Sequence, residues 1–166
     1  MTLSDYSSLA TIGASFLVVI QLTVGMFVYL RQIKRERVIA TLEYFEGANK
    51  ELKEAKRELR KKIGAGITPD AIEGLESNPD GRLLLHQVLN AYERLAAGLN
   101  LGVYDLGTIA RINGKVLVSN YERFRPYIEH RRKTSNPNAW IEFSRLVERT
   151  CGIRKELRIV PDDPND

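Results

Sequence analysis

Between Tyr6 and Leu30 the chain carries no charged side chain, and this constrains its N-terminal part more than any other feature. Leu9 to Leu30 reads LATIGASFLVVIQLTVGMFVYL. As a helix this run is about 33 Å long at about 1.5 Å per residue, enough to cross a hydrocarbon core of about 30 Å. Tyr6 and Tyr29 stand near its two ends, where interfacial aromatics are favoured. A cleavable signal peptide would carry Lys or Arg ahead of a shorter run and a small-x-small site after it. Here the only charge ahead of the run is Asp5. An uncleaved, single-pass transmembrane helix is expected.

Positive charge is asymmetric about that helix. Arg31, Lys34, Arg35 and Arg37 follow it and nothing basic precedes it. The positive-inside rule then places the N-terminus outside the inner (plasma) membrane and the rest of the chain in the cytoplasm. The same four cations suit anionic membrane lipid, at about 1 kcal/mol each. The expected organisation is an extracytoplasmic N-terminus (1–8), a transmembrane helix (9–30), a basic stalk (31–66), a cytoplasmic bundle (67–152) and a largely disordered acidic tail (153–166).

Gln21 falls near the middle of the span, where a carboxamide is costly unless it finds a partner. The nearest candidate is the same residue on another copy. Thr11, Ala14, Val18, Gln21 and Gly25 recur every three to four residues, so one narrow small-to-polar stripe results. Homo-oligomerisation through this stripe is the expectation, with a pore lining as its narrower form; the other reading is a lone helix that tolerates one Gln.

Beyond the membrane segment no alternating apolar and polar run is long enough for a strand, and an all-α fold is predicted. Val38, Leu42, Phe45, Asn49, Leu52, Lys56, Leu59 and Ile63 have heptad spacing, which predicts one helix from Arg31 to Ile63 stopped by Gly64-Ala-Gly66. It forms either a coiled coil or an amphipathic helix packed on its own domain. Thr68-Pro69-Asp70 reads as a helix start. Further helices are expected over about 82–97, from Asp105 to Asn113-Gly114, over about 116–133 with a kink near Pro126, and over about 139–150. The result is a compact bundle of four to five helices.

Few chemistries survive inspection. One Cys and two distant His residues, His86 and His130, exclude a disulfide framework and leave no metal set, and neither HExxH, GxSxG nor a phosphate loop is present. No cofactor is expected. Arg125-Pro-Tyr-Ile-Glu-His130 is similar to the Arg-x4-6-His signature of HEPN-type helical ribonucleases, with Pro126 in place of the usual polar residue. The resemblance would give His130 proton transfer and Arg125 a phosphate to hold. The chain is basic, with a net charge of +4. Arg111, Lys115, Arg123, Arg125, Arg131, Arg132 and Lys133 outnumber Glu122 and Glu129 in one stretch that also holds Tyr121, Phe124 and Tyr127. Such a mix suits an anionic partner, a nucleotide or RNA, or a lipid head group; the other reading makes the aromatics core and pairs the cations internally.

Asn90-Ala-Tyr-Glu93-Arg-Leu-Ala-Ala-Gly98, then Gly102-Val-Tyr-Asp105, an Arg near 131 and Trp140-Ile-Glu142-Phe143 resemble an uncharacterised bacterial and phage family, domain of unknown function 4760. The resemblance runs from Arg31 to Val147 and implies a membrane helix, a basic stalk and a helical domain, with no activity attached. Glu93 on a largely apolar helix is expected to form a structural clasp with Arg131 or Arg132. A looser, architectural likeness is to membrane-anchored accessory proteins of CRISPR systems with a HEPN-like helical domain. The functional expectation is therefore a non-enzymatic, oligomeric membrane protein, an accessory of bacterial antiviral defence that couples a cytoplasmic signal or protein partner to membrane perturbation. The alternatives are a membrane-tethered ribonuclease, a cyclic-oligonucleotide-sensing effector and a plain membrane tether.

Overall fold

The computed structural model describes residues 3–47, 49–63 and 67–157, with side chains described from Ser15 onward except at 49–51, 63, 69 and 70. Six helices make up the described residues: α1 (Leu3–Gly47), α2 (Asn49–Ile63), α3 (Pro69–Ser77), α4 (Pro79–Asn100), α5 (Leu106–Thr134) and α6 (Ile141–Glu156). The all-α expectation holds. The chain divides into two units, one through Arg37 and one from Val38 onward.

In the first unit the helix is apolar on every side. Phe16, Val18, Leu22 and Leu30 are 67%, 54%, 69% and 54% exposed, so within the described residues of this unit nothing covers them. A helix that is hydrophobic all round belongs in a core or in a membrane. From Ser15 onward the most apolar 18-residue stretch of α1 has a mean hydropathy of 1.7, and the helix is long and apolar enough to cross a bilayer. Thr23 returns its hydroxyl to the Val19 carbonyl at 2.8 Å, which satisfies it within the helix.

The second unit is organised on α4. Leu85, Val88, Leu89, Tyr92, Leu95, Ala96 and Leu99 follow the 3.6-residue period and are buried. α2, α3 and α6 pack on α4, and α5 packs on α6. From α5 and α6 come Leu117, Phe124, Tyr127, Ile128, Phe143 and Leu146, all essentially inaccessible. Each such side chain contributes about 1.5–3 kcal/mol of transfer free energy.

The helix starts follow the local chemistry. Thr68 accepts from the Ala71 N–H at 3.2 Å, with Pro69 in the first turn. Asn78 both ends α3 and caps α4, accepting from the Gly81 N–H at 3.1 Å. Asp105 caps α5 through the Thr108 N–H at 2.7 Å, and its own N–H donates to the buried Thr41 hydroxyl at 2.9 Å.

Three features of the helices bear on expectation. The stretch expected as one helix over Arg31–Ile63 is helical as α1 up to Gly47 and as α2 from Asn49, and residue 48 between them lies outside the described residues. The heptad face is also not the one used throughout. Leu42 is 41% exposed while its neighbour Thr41 is fully buried and Tyr44 and Phe45 pack on the core. Leu52 and Leu59 of α2 do face the domain, so this half is an amphipathic helix packed on its own bundle. Secondly, α5 runs unbroken through Asn113-Gly114 and Pro126. Gly114 is buried there because a Cβ would come within 2.9 Å of the Arg154 Cδ of α6, so its glycine serves close packing. Thirdly, α6 continues past Gly152 to Glu156. The tail from 158 lies outside the described residues.

α4 ends with Gly102 in the left-handed region, φ 73°. The Val103 N–H reaches the Gly98 carbonyl at 2.9 Å and the Gly102 N–H the Leu99 carbonyl at 3.0 Å, the paired bonds of a Schellman ending. The turn lays the Tyr104 ring across Gly98, where any Cβ would collide with it. Intrinsic propensity favours Gly98→Ala by about 1 kcal/mol, but overpacking costs about 1–3 kcal/mol. Gly98→Ala is expected to lower the urea midpoint in the parent chain, but to leave it unchanged or raise it when introduced into Tyr104→Ala.

Candidate functional site

The Asn90-x-x-Glu93 segment of α4 and the Trp140-x-x-Phe143 start of α6 meet in the structure. Trp140 occupies the N-cap of α6 with φ 49° and ψ 41° and offers no side-chain cap. The cap comes from α4 instead. One Glu93 carboxylate oxygen accepts from the Glu142 N–H at 3.2 Å and the other from the Phe143 N–H at 2.8 Å. The Trp140 indole N–H donates to Asn90 Oδ1 at 2.9 Å. Arg132 closes the turn from the other side, donating to the Ala139 and Trp140 carbonyls at 2.8 and 3.1 Å and to the Ser144 hydroxyl at 2.7 Å.

The expected Glu93–Arg131 clasp is therefore corrected. Glu93 serves a helix N-terminus, where a carboxylate also meets the positive end of the dipole, and Arg131 pairs with Glu76 of α3 at 3.4 Å. Beside that pair, His86 Nε2 and Tyr127 Oη share a hydrogen bond of 2.9 Å, and the His86 ring stands edge-on to Trp140. Burial, then Arg131 and Arg82, lower the His86 pKa, and burial pushes Tyr127 up to about 12.

The remaining basic residues of α5 do not form one face. Arg125 is held by Glu129 at 2.8 Å and Glu122 at 3.5 Å, both on its own helix. His130, five residues further on, is turned about 140° from it around the helix axis. One copy of the chain thus does not bring the candidate catalytic pair Arg125 and His130 onto one side. Arg111 and Lys133 are exposed, and Tyr121 turns inward, edge-on to Phe143 at 5.3 Å. In the membrane stripe, Val18, Gln21 and Gly25 are exposed, whereas the side chains of Thr11 and Ala14 lie outside the described residues.

The arrangement that gathers charge in a concavity involves α2, whose heptad spacing alone suggested a coiled coil or a packing helix. Lys53, Lys56 and Arg60 of α2, Asn113, Val116 and Asn120 of α5, and Tyr44, Phe45 and Leu52 line a groove of about 320 Å³. Among the described residues no acid lines it. The nearby Glu58 is engaged by Lys61 at 2.8 Å and Arg57 at 3.7 Å. Lys56 is half-buried with its ammonium 4.9 Å from the centre of the Tyr92 ring, and Tyr92 in turn stacks on Phe143 at 4.6 Å. The Tyr92 hydroxyl accepts from the Asn120 amide at 3.0 Å. Burial, then the neighbouring Lys53, pull Lys56 down to about 8; the like charge of Arg60 acts on Arg123 in the same way, after burial. A second groove of about 460 Å³ shares Tyr44 and Leu52 and adds Gln87, Asn90 and Arg94. Among the described residues no cluster of His, Cys, Asp or Glu could hold a metal ion.

Two stability measurements check this geometry. Glu93→Ala leaves two helix N–H groups without their acceptor and should cost about 1–3 kcal/mol; Glu93→Gln, which keeps one acceptor, should cost less. For Lys56 the sign follows from its lowered pKa. Below about 8 the folded and unfolded chains both hold the proton and the cost of the half-buried charge stands in full. Between about 8 and the ordinary 10.5 the unfolded chain holds a proton that the folded one has shed, so stability climbs with pH. Lys53 and Arg60 on α2 and the neutral Tyr44 and Tyr92 face this ammonium. Lys56→Met is expected to raise the urea midpoint at about pH 7, with the gain shrinking toward about pH 10.

No curated protein and no solved structure matches this chain, so the likeness to CRISPR accessory proteins and to HEPN ribonucleases finds no support. A family described as a domain of unknown function does match, over residues 15–150. Its span includes the apolar helix from Ser15, the lock between Asn90, Glu93 and Trp140, and the basic groove. The chain belongs to the DUF4760 family.

Proposed function

We propose that this is a non-enzymatic membrane protein in which a single N-terminal helix anchors a cytoplasmic helical unit and carries that unit's response to the membrane. The observation that supports the reading most is the charge-free helix of the first unit, more than half exposed at every large apolar position from Phe16 to Leu30. Burying such side chains is worth about 25 cal/mol per Å², and a bilayer is the environment that buries all sides of one helix. Arg31, Lys34, Arg35 and Arg37 at its end favour an orientation with the N-terminus outside the inner membrane. Arg31 already packs its guanidinium 4.7 Å from the Phe27 ring centre, as a snorkelling interfacial cation does. The finer form of the proposal is self-association through Gln21, with a pore or depolarisation as its output in antiviral defence.

Membrane fractions washed with alkaline carbonate should retain the full chain; its release would overturn the anchor. In a Cys151→Ser background, Ser4→Cys should react with an impermeant thiol reagent in intact spheroplasts and Ser119→Cys only after permeabilisation. The opposite pattern would reverse the orientation. For the finer form, Gln21→Leu should insert normally and reduce crosslinking between copies.

A further inference from the structure

We propose that the basic groove between α2 and α5 is a binding site for a nucleoside monophosphate, its phosphate held by Lys53, Lys56 and Arg60 and its base against Tyr44 and Phe45. This assignment is independent of how the chain meets the membrane. It rests first on shape: about 320 Å³ sits at the small end of the roughly 300–1,000 Å³ of small-molecule sites.

Charge is the second argument. Among the described residues three cations and no acid line the groove, and Glu58, which lies between Lys56 and Arg60 in sequence, is drawn to Lys61 and Arg57. A half-buried Lys beside another Lys is destabilised until an anion arrives, and a phosphate dianion with several acceptor oxygens can meet three cations at once. Exposed lysines with paired acids would give no such preference.

The third argument concerns the rest of the ligand. Tyr44 and Phe45 meet edge-to-face at 5.5 Å and 83°, and Leu52 and Val116 extend that apolar wall. Stacking on an aromatic wall suits a planar base and is worth about 1–3 kcal/mol. Asn113 adds a carboxamide for the polar edge of such a base. Lys56 itself is already positioned by the Tyr92 ring beneath it, so the site is largely preformed.

The test uses the full chain in detergent micelles at about pH 8 and reads acylation of Lys56 by an amine-reactive ester, peptide by peptide, together with the thermal midpoint. With millimolar nucleoside monophosphates of the four bases as probes, at least one should slow Lys56 acylation about fivefold and raise the midpoint. A rise of about one pKa unit lowers the free-amine fraction by that factor. The parent nucleoside should do neither, and Lys53→Gln/Arg60→Gln, which changes two exposed side chains and leaves Lys56 in place, should lose both effects. Equal protection by sulfate at matched ionic strength would reduce the groove to charge screening and overturn the proposal. So would protection by vesicles containing a phosphoinositide but by none of the nucleotides, which would assign the phosphate to a lipid head group.

Discussion

Every α-helix opens with N–H groups that have no partner within the helix, and α6 opens deep enough in the protein that water cannot serve all of them. Its own cap residue, Trp140, is of no help, because an indole has no acceptor to offer and its N–H donates to Asn90. The Glu93 carboxylate therefore takes the Glu142 and Phe143 N–H groups, while the Ile141 and Ser144 N–H groups reach the Asn138 and Trp140 carbonyls at 3.3 Å each. The Ile141, Glu142 and Phe143 donors are satisfied outside the helix's own ladder, two of them by a helix some fifty residues away in sequence, and the Ser144 bond to Trp140 begins that ladder. This contact sets where α6 begins against α4. It also holds a non-glycine residue in the left-handed region, which costs about 1–3 kcal/mol and persists only where surrounding contacts over-determine it.

From that junction the consequences run outward. With Glu93 committed to α6, the adjacent Tyr92 stacks on Phe143, Tyr121 meets the far edge of the same ring, and Lys56 settles over the other face of Tyr92. The aromatic column thus connects the helix junction to the floor of the basic groove. The cations divide along the same logic. Arg131 and Arg132 are drawn into the fold by Glu76 and by the carbonyls of the turn before α6. Arg125 is neutralised on its own helix by Glu129 and Glu122. Lys53, Lys56 and Arg60 are left facing a concavity that no acid lines among the described residues.

Much of the fold was legible in local chemistry. Thr68 and Asp105 act as caps because each has a short side-chain acceptor placed before a helical run, a signal contained within four residues; Asn78 caps α4 by the same chemistry, ahead of the start expected at about 82. The stripe from Leu85 to Leu99 marked α4 because one apolar face is visible as a period. The site was much less legible. A count of cations pointed to α5, but counting cannot distinguish Arg132, which saturates backbone carbonyls, from a residue that faces solvent. Lys56 read as a polar defect in a heptad, and only its position over Tyr92 shows otherwise. Glu93 was recognised as an acid on an apolar helix, and an Arg partner was the natural expectation. A backbone N–H leaves no residue-type signature, so its true partners could not be named in advance.

The sequence by itself determined the charge-free helix, the all-α class, the stripe of α4 and most helix starts, because period, caps and hydropathy act over a few residues and need no distant partner. Only the tertiary structure decided which acid caps α6, which cations are spent inside the fold, and that α2 packs on α4 with three of its cations lining a groove shared with α5. Those outcomes depend on which side chains from distant segments share a few ångströms of space. Coulomb energy, burial and hydrogen-bond geometry all change steeply over that distance, and nothing local to either segment encodes it.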